Sequence, residues 1–260
     1  MSEIRHLGVA MRYTDAPERR AQLERQVETE GYVSSAVAAA RLGVSEMTVR
    51  RDLRMLEERG LVRRVAGGAT TASTGAPFEN RSAVGAAQKR AIAELAAEEA
   101  STARTIALDA GTTVAATLPL LPEATIVTHS QPVIDELARS ASPRLIAAGG
   151  HYQPDTRSFA GPLTEQLLRG VRCDLALLSA TAVGVDGLWG ANALDAAIKR
   201  VLAEQSTRVV LLADAGKLGA SAPVRIMGIE AIDVLITDAR VGSAALAPFR
   251  DAGVEVRVAG

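Results

Sequence analysis

From Arg104 onward, short apolar runs recur along the chain: TIALD, ATIVTH, RLIAAGG, CDLALLS, RVVLLAD, DVLITD and VEVRVA. Helix-like segments lie between most of them. Runs this short are strands, and a strand–helix alternation predicts a mostly parallel sheet with helices on its faces. The material for a core is ample, because 48% of the residues are hydrophobic, but only 3% are aromatic. Ala, Val and Leu must therefore fill the interior. A platform of stacked aromatics for single-stranded nucleic acid is also excluded. No internal repeat is visible beyond the alternation itself.

Up to about residue 65 the texture is different. ERRAQLERQVETEG reads as a charged helix with Leu23 and Val27 at i, i+4, closed by Gly31. SSAVAAARLG reads as a short second helix, capped by Ser34 or Ser35 and stopped by Gly43. The third segment, SEMTVRRDLRMLEERG, has Ser45 as its N-cap. At 100° per residue, Val49, Leu53 and Leu56 share one face with Asp52 beside them. Met47, Arg51, Arg54 and Glu58 fall opposite, flanked by Thr48, Arg50 and Met55. Two short helices joined through a glycine turn, the second with an exposed polar first half, form a helix-turn-helix. Arginine suits such a face because its planar fork donates two hydrogen bonds to guanine or phosphate. On the helix alone a second reading competes: the arginines pair with Glu46, Asp52, Glu57 and Glu58 along a solvated face.

LVRRVAGGAT follows, a short strand carrying Arg63 and Arg64 and then a Gly67-Gly68 turn. That is a wing, which sets basic residues against the backbone beside a groove. GGATTASTGAPF then runs from the turn into a linker. The expected organisation is a winged helix-turn-helix at 16–72, a linker at 73–84 and an α/β effector-binding and oligomerisation domain at 85–260, opened by the helix QKRAIAELAAEEA.

Global properties set the limits. A formal net charge of −1 means that any claim of nucleic-acid binding rests on local placement. The single Cys173 excludes a disulfide framework and a cysteine zinc site; it begins a buried strand and reads as inert. The histidines are scattered, so no metal site is expected, and no cofactor is implied. There is no run of 18 apolar residues and no leader pattern at the start. The expectation is a soluble cytoplasmic protein without membrane contact.

In the second half, polar or glycine-rich turns follow four of the strands. ALDAGTT ends a strand at Asp109, and Gly111, Thr112 and Thr113 open a helix whose N–H groups and hydroxyls suit an anion. IVTHSQP places Thr128, His129 and Ser130 at a strand end, AAGG places Gly149 and Gly150, and LLADAGKLG places Asp214 and Lys217. In open α/β sheets the ligand crevice lies beyond the carboxyl ends of the strands, where such turns can converge. His129 reads either as a histidine satisfied at a strand end or as a ligand contact. Trp189 reads as a packed loop anchor.

GYVSSAVAAARLGVSEMTVRRDLRMLEERGLVRRVAGGA resembles the N-terminal domain of the DeoR family of bacterial transcriptional regulators, in its TVRRDLxxLxxxG core and GGA turn. The resemblance implies that Thr48, Arg50 and Arg51 meet DNA; Ser45, Met47, Arg54, Arg63 and Arg64 complete the expected DNA-binding set. It continues through LDAGTT, RSFAGPLTEQLL, LDAAIKR, DAGKLG and IDVLITD, which are similar to the family's sensor domain. That domain is similar in fold to ribose-5-phosphate isomerase and the CoA-transferase group and typically binds a phosphorylated sugar. The match implies Asp109, Gly111, Thr112, Thr113, Thr128, Gly150, Lys199, Asp214 and Lys217 in or near the effector site. His129 and Asp195 stand where the family usually has Asn and Glu, and DAGK and SATAVG also depart from its pattern. His129 and Asp195 therefore join the candidate effector set. The expected function is a repressor, not an enzyme, that binds double-stranded operator DNA as a homodimer or homotetramer under control of a phosphorylated sugar. The alternative is a sugar-phosphate isomerase with an appended helical domain, using Asp109 or Asp195 as general base.

Overall fold

The computed structural model describes residues 16–30, 32–65, 67–71, 78–139 and 144–260. The chain divides into two compact units, Met1–Ala76 and Pro77–Gly260.

In the first unit, α1 (Ala16–Glu30), β1 (Tyr32–Ser34), α2 (Ser35–Leu42) and α3 (Glu46–Glu58) precede the hairpin β2 (Val62–Val65) and β3 (Gly68–Thr71). The strands form an antiparallel sheet in the order β1-β3-β2. Ser34 is the residue that caps α2, its hydroxyl accepting from Val37 N, and Gly43 ends that helix in the left-handed region at φ 64°. Leu23 and Val27 of α1 pack with Val33, Ala38, Leu42, Val49, Leu53, Leu56 and Val62. Asp52 is buried on the same side of α3 because Arg19 of α1 donates to it at 2.6 Å. GATT forms the second strand of the wing. A Cβ on Gly68 would stand 1.9 Å from the Val33 carbonyl oxygen, so only glycine lets β3 lie against β1 there. Gly31 and residues 72–77, which hold the end of the expected winged domain and the first part of the expected linker, lie outside the described residues.

The second unit opens with α4 (Phe78–Ala83), in a stretch that the sequence reading assigns to the linker, and α5 (Ala86–Ala100). Then come β4 (Thr105–Leu108), α6 (Thr112–Ala115), β5 (Thr125–Thr128), α7 (Gln131–Ala138), β6 (Arg144–Ala147), β7 (His151–Gln153), β8 (Ser158–Ala160) and α8 (Pro162–Arg169). The rest is β9 (Cys173–Leu178), β10 (Ala182–Gly184), β11 (Gly187–Gly190), α9 (Ala193–Glu204), β12 (Ser206–Leu212), β13 (Val224–Met227), β14 (Val234–Asp238), α10 (Ser243–Asp251) and β15 (Glu255–Ala259). All seven apolar runs lie in one parallel sheet, ordered β15-β14-β12-β9-β4-β5-β6. Its alternation sends Ile106, Leu108, Leu175, Leu177, Val210 and Ile236 to the face covered by α5. Ala107, Ala176, Leu178, Leu211 and Leu235 go to the face covered by α8, α9 and α10. The hairpin β7–β8 and the small sheet β10-β11-β13 are additions that the runs do not announce. Trp189 sits in β11, not in a loop, and its indole N–H donates to Asp186 at 3.1 Å. Among the described residues no helix is long and apolar enough to cross a membrane.

Candidate nucleic-acid interface and ligand site

Ser45 starts α3: its hydroxyl accepts from Thr48 N at 3.1 Å and bonds the Thr48 hydroxyl at 2.8 Å. The apolar stripe turns inward and leaves Met47 80% exposed, with Arg50, Arg51 and Arg54 also exposed. The ion-pair reading of this helix holds in part, since Asp52 is buried against Arg19 of α1 while the other acids meet arginines at the surface. Arg50 pairs with Glu46 at 2.6 Å and Arg54 with Glu58 at 3.7 Å, while Arg64 reaches Glu57 at 3.8 Å from the hairpin. These pairs are solvated and are each worth about 0–1 kcal/mol, so a phosphate or a base edge can replace them. Arg63 lies in β2, but its side chain is outside the described residues.

In the larger unit, the carboxyl ends of β4, β5 and β9 meet α9 around Asp109, which is fully buried. Its Oδ2 accepts from Ser179 N at 2.9 Å, from the Ser179 hydroxyl at 2.6 Å and from the Lys199 ammonium. Lys199 also pairs with Asp195, one turn earlier on α9, at 3.5 Å. Burial disfavours charge on Asp109, but Lys199 and the hydrogen bonds outweigh it and hold the carboxyl well below the usual range. Burial pushes Asp195 up, against the pull of Lys199. Burial also works against charge on Lys199, yet its two aspartates raise its pKa. His129 donates from Nδ1 to the Phe159 carbonyl at 2.8 Å and turns Nε2 towards Asp109 Oδ1, 3.5 Å away. Asp109 Oδ1, His129 Nε2 and Ser130 Oγ are buried without a hydrogen-bond partner among the described residues.

The other expected ligand residues fall into separate roles. Thr128 is buried and donates to the Leu108 carbonyl at 2.7 Å, tying β5 to β4. Gly111 packs so closely that a Cβ would lie 2.2 Å from the Ser179 hydroxyl, and Gly150 is blocked in the same way by Thr164. Thr113 is buried and Thr112 half-buried at the start of α6, which is only four residues long and has no side-chain cap at Gly111. Asp214 caps a single 3-10 turn through Gly216 N at 3.1 Å. Lys217 in that turn interacts with Asp214 and Arg81 rather than with the Asp109 cluster. Two groups escaped the sequence reading. Ser179, which completes the Asp109 cluster, is a lone hydroxyl in a turn and carries no pattern. Lys89 did leave a signal, since it falls on the buried stripe of α5 with Ile92, Ala93, Ala96 and Ala100.

A winged helix-turn-helix followed in the chain by an α/β unit with a buried polar cluster at its strand ends defines a DNA-binding transcriptional regulator with a ligand-sensing body. Comparison with known proteins agrees, matching the DeoR-like helix-turn-helix domain at residues 19–74 and the DeoR C terminal sensor domain at residues 85–239. The chain belongs to the DeoR family. It is 31% identical to the putative aga operon transcriptional repressor of Escherichia coli O157:H7, over 96% of each chain. It is 32% identical to the glycerol-3-phosphate regulon repressor of Escherichia coli strain K12, over 82% of this chain and 87% of that one. The ribose 5 phosphate isomerase A structure from Neisseria gonorrhoeae aligns at 20% identity, over 52% of this chain and 53% of that one, with a TM-score of 0.36.

Proposed function

We propose that this regulator represses transcription by binding operator DNA through α3 and the β2–β3 wing, and that a phosphorylated sugar or related metabolite controls that binding. Residues 16–72 act as the DNA head, with Ser45 and Thr48 setting the first turn of α3 and Met47, Arg50, Arg51, Arg54, Arg63 and Arg64 facing DNA. The observation that carries this reading is the division of α3: Val49, Asp52, Leu53 and Leu56 are buried, while Met47 and three arginines are presented outward. The body, from α4 onward, holds the effector and forms a homodimer or homotetramer in the cytoplasm. Asp109, Asp195, Lys199 and His129 suit the hydroxyls of a sugar; Lys217 and Thr112 suit its phosphate; Gly111, Thr113, Thr128, Gly150 and Asp214 shape the turns around them.

An isomerase reading gains little from this cluster. Asp109 Oδ2 already accepts from three donors and the carboxyl is held well below the usual carboxylate range, which makes it a poor general base. The repressor reading is tested by fluorescence anisotropy on duplexes that the protein selects from a random-sequence library, with sugar phosphates added. Specific, salt-sensitive binding that a sugar phosphate changes is the expected result. Absence of sequence-specific binding would overturn the reading.

A further inference from the structure

Helix α4 is the first element of the α/β unit, and residues 72–77 join it to the wing strand β3. A helix of six residues does not hold itself in place, so packing must fix it. Its anchor is Phe78, only 7% exposed, whose ring lies under the guanidinium groups of Arg81 and Arg157, 5.7 and 6.0 Å from its centroid. Arg81 also donates to the Asp155 carbonyl at 3.1 Å. At the far end of α4, the buried ammonium of Lys89 donates to the Arg81 and Val84 carbonyls, the second at 2.6 Å. Asp155 and Arg157 both belong to the turn of the β7–β8 hairpin, so one side of α4 rests on that turn. The same turn reaches the polar cluster, because residues 157–159 zip along 129–131. Gln131 N donates to the Arg157 carbonyl and Phe159 N to the His129 carbonyl, both at 2.9 Å. His129 Nδ1 returns a bond to the Phe159 carbonyl at 2.8 Å. His129 Nε2 faces Asp109, and neither that nitrogen nor Asp109 Oδ1 has a hydrogen-bond partner among the described residues. A group that satisfied them would act at once on the segment to which the hairpin is zipped. Arg157 is the one non-glycine residue at positive φ among the described residues, at 49°. Side-chain-bearing residues enter that region at a cost and stay there only where their surroundings enforce it. Here the contacts come from two sides, α7 through Gln131 N and α4 through the Phe78 ring. A strained turn held from two sides shifts when either side moves.

We propose that the β7–β8 turn and α4 form one latch that couples the strand-end cluster to the segment leading to the DNA-binding unit, with Arg157 and Phe78 as its positioning residues. Occupation of the cluster shifts residues 129–131 and the turn zipped to them. The grip of Asp155 and Arg157 on α4 then changes, and with it the anchorage of the chain that runs to the wing. The latch rests on the effector reading above and adds to it the route by which the site acts. Neither Phe78 nor Arg157 belongs to the expected effector or DNA-binding sets. A hairpin that merely braced α4 would affect stability, but not the link between effector and operator.

The test uses two variants of the full chain. Phe78→Leu keeps an apolar anchor but removes the ring, and Arg157→Gly removes the guanidinium and the backbone cost together. Operator binding is followed by fluorescence anisotropy with and without each member of a panel of pentose and hexose phosphates, and binding of the panel by calorimetry. Each variant is expected to bind operator, and the sugar phosphate that most affects the wild type, with affinities close to those of the wild type. The factor by which that sugar phosphate changes operator binding should fall from the roughly 5- to 150-fold usual for such couplings to under about threefold. A wild-type factor retained in both variants overturns the latch and leaves the functional reading standing. Arg157→Gly lies in a turn and decides the matter even if Phe78→Leu does not fold. A second readout does not depend on the effector: hydrogen exchange with and without an operator duplex selected from a random-sequence library. In the wild type, operator changes exchange in residues 154–159; in Phe78→Leu it does not. A wild-type hairpin blind to bound operator overturns the latch, as does one that answers operator equally in Phe78→Leu. If the wild-type hairpin alone answers operator but no sugar phosphate alters operator binding, the latch stands and the effector reading falls.

Discussion

Asp109 and Lys199 have exchanged water for each other, and the exchange is safe only while both are present. Removing one partner of a buried pair leaves an uncompensated charge, which costs about 3–5 kcal/mol. Lys199→Met should lose about that much stability in urea unfolding, and Asp109→Asn a comparable amount; a loss under about 1 kcal/mol in both would mean that the cluster is open to solvent. The same pair sets an acid limit. Asp109 has a folded pKa below its unfolded one, so its stabilisation is complete above pH about 4 and disappears as pH falls through the folded value. Lys89 works in the opposite range. Burial, with Lys217 and Arg81, brings it down to about 8 against the pull of Asp214, while an unfolded lysine titrates near pH 10.4. Between those values the unfolded chain still holds a proton that the folded chain has released, so the contribution of Lys89 to stability rises with pH. The wild type should gain about 1–3 kcal/mol on the Lys89→Gln variant between pH 7.5 and roughly 10, measured by urea unfolding across that range. A gap that does not change with pH would show that Lys89 keeps its proton throughout. Legibility at this scale follows spacing. Lys89 is visible as a lysine on an apolar stripe, whereas nothing local marks Ser179, because its partner Asp109 is 70 residues away.

Elements were more legible than residues. Each of the seven apolar runs is a strand of one sheet; the five inner strands are buried on both faces and so write themselves as near-continuous apolar runs, while the edge strands β6 and β15 are only partly buried. Helices α2 and α3 were equally plain from their glycine stop, serine caps and apolar stripe. What escaped is short and mixed. FENRSA offers one buried anchor, Phe78, and the β7–β8 and β10-β11-β13 strands are three or four residues long with interrupted patterns. The wing was legible as a basic strand and a glycine turn, but not the role of Gly68, which depends on β1 passing over it. Gly68→Ala must push β1 and β3 apart, because the new Cβ meets backbone that cannot yield. Specific DNA binding should be lost, while phosphate binding by the α/β unit is retained; a Gly68→Ala variant with normal operator affinity would show that the β1–β3 contact is dispensable. On α3, Arg51→Ala and Arg50→Ala should each cost about 1–3 kcal/mol in specific binding if they contact base edges. A loss equal on selected and scrambled duplexes would mark phosphate contacts instead. Unchanged anisotropy titrations for both variants, with the fold intact by circular dichroism, would remove α3 as the reading helix.

For the molecule as a whole, regulation requires only that DNA and effector favour different states of the same chain. The coupling is then reciprocal: if a sugar phosphate weakens operator binding by some factor, operator must weaken sugar-phosphate binding by that factor. Couplings of this kind are about 1–3 kcal/mol, or roughly 5- to 150-fold in affinity. Lys217 belongs to the α/β unit and the arginines of α3 to the other, so their losses should separate. Lys217→Ala is expected to abolish the effector response and to leave ligand-free operator affinity near that of the wild type. Arg51→Ala is expected to do the reverse, weakening operator binding while sugar-phosphate affinity of the free protein stays constant. The unphosphorylated sugar should act poorly on the wild type, since it carries no anion for Lys217 to meet. The measurement is a pair of titrations: operator into protein with and without sugar phosphate, and sugar phosphate into protein with and without operator. Equal factors in the two directions are required of any linkage, including direct competition in which sugar phosphate acts as an anion on the DNA-binding surface itself. In that case sulfate at the same ionic strength would reproduce the effect and Lys217→Ala would not remove it.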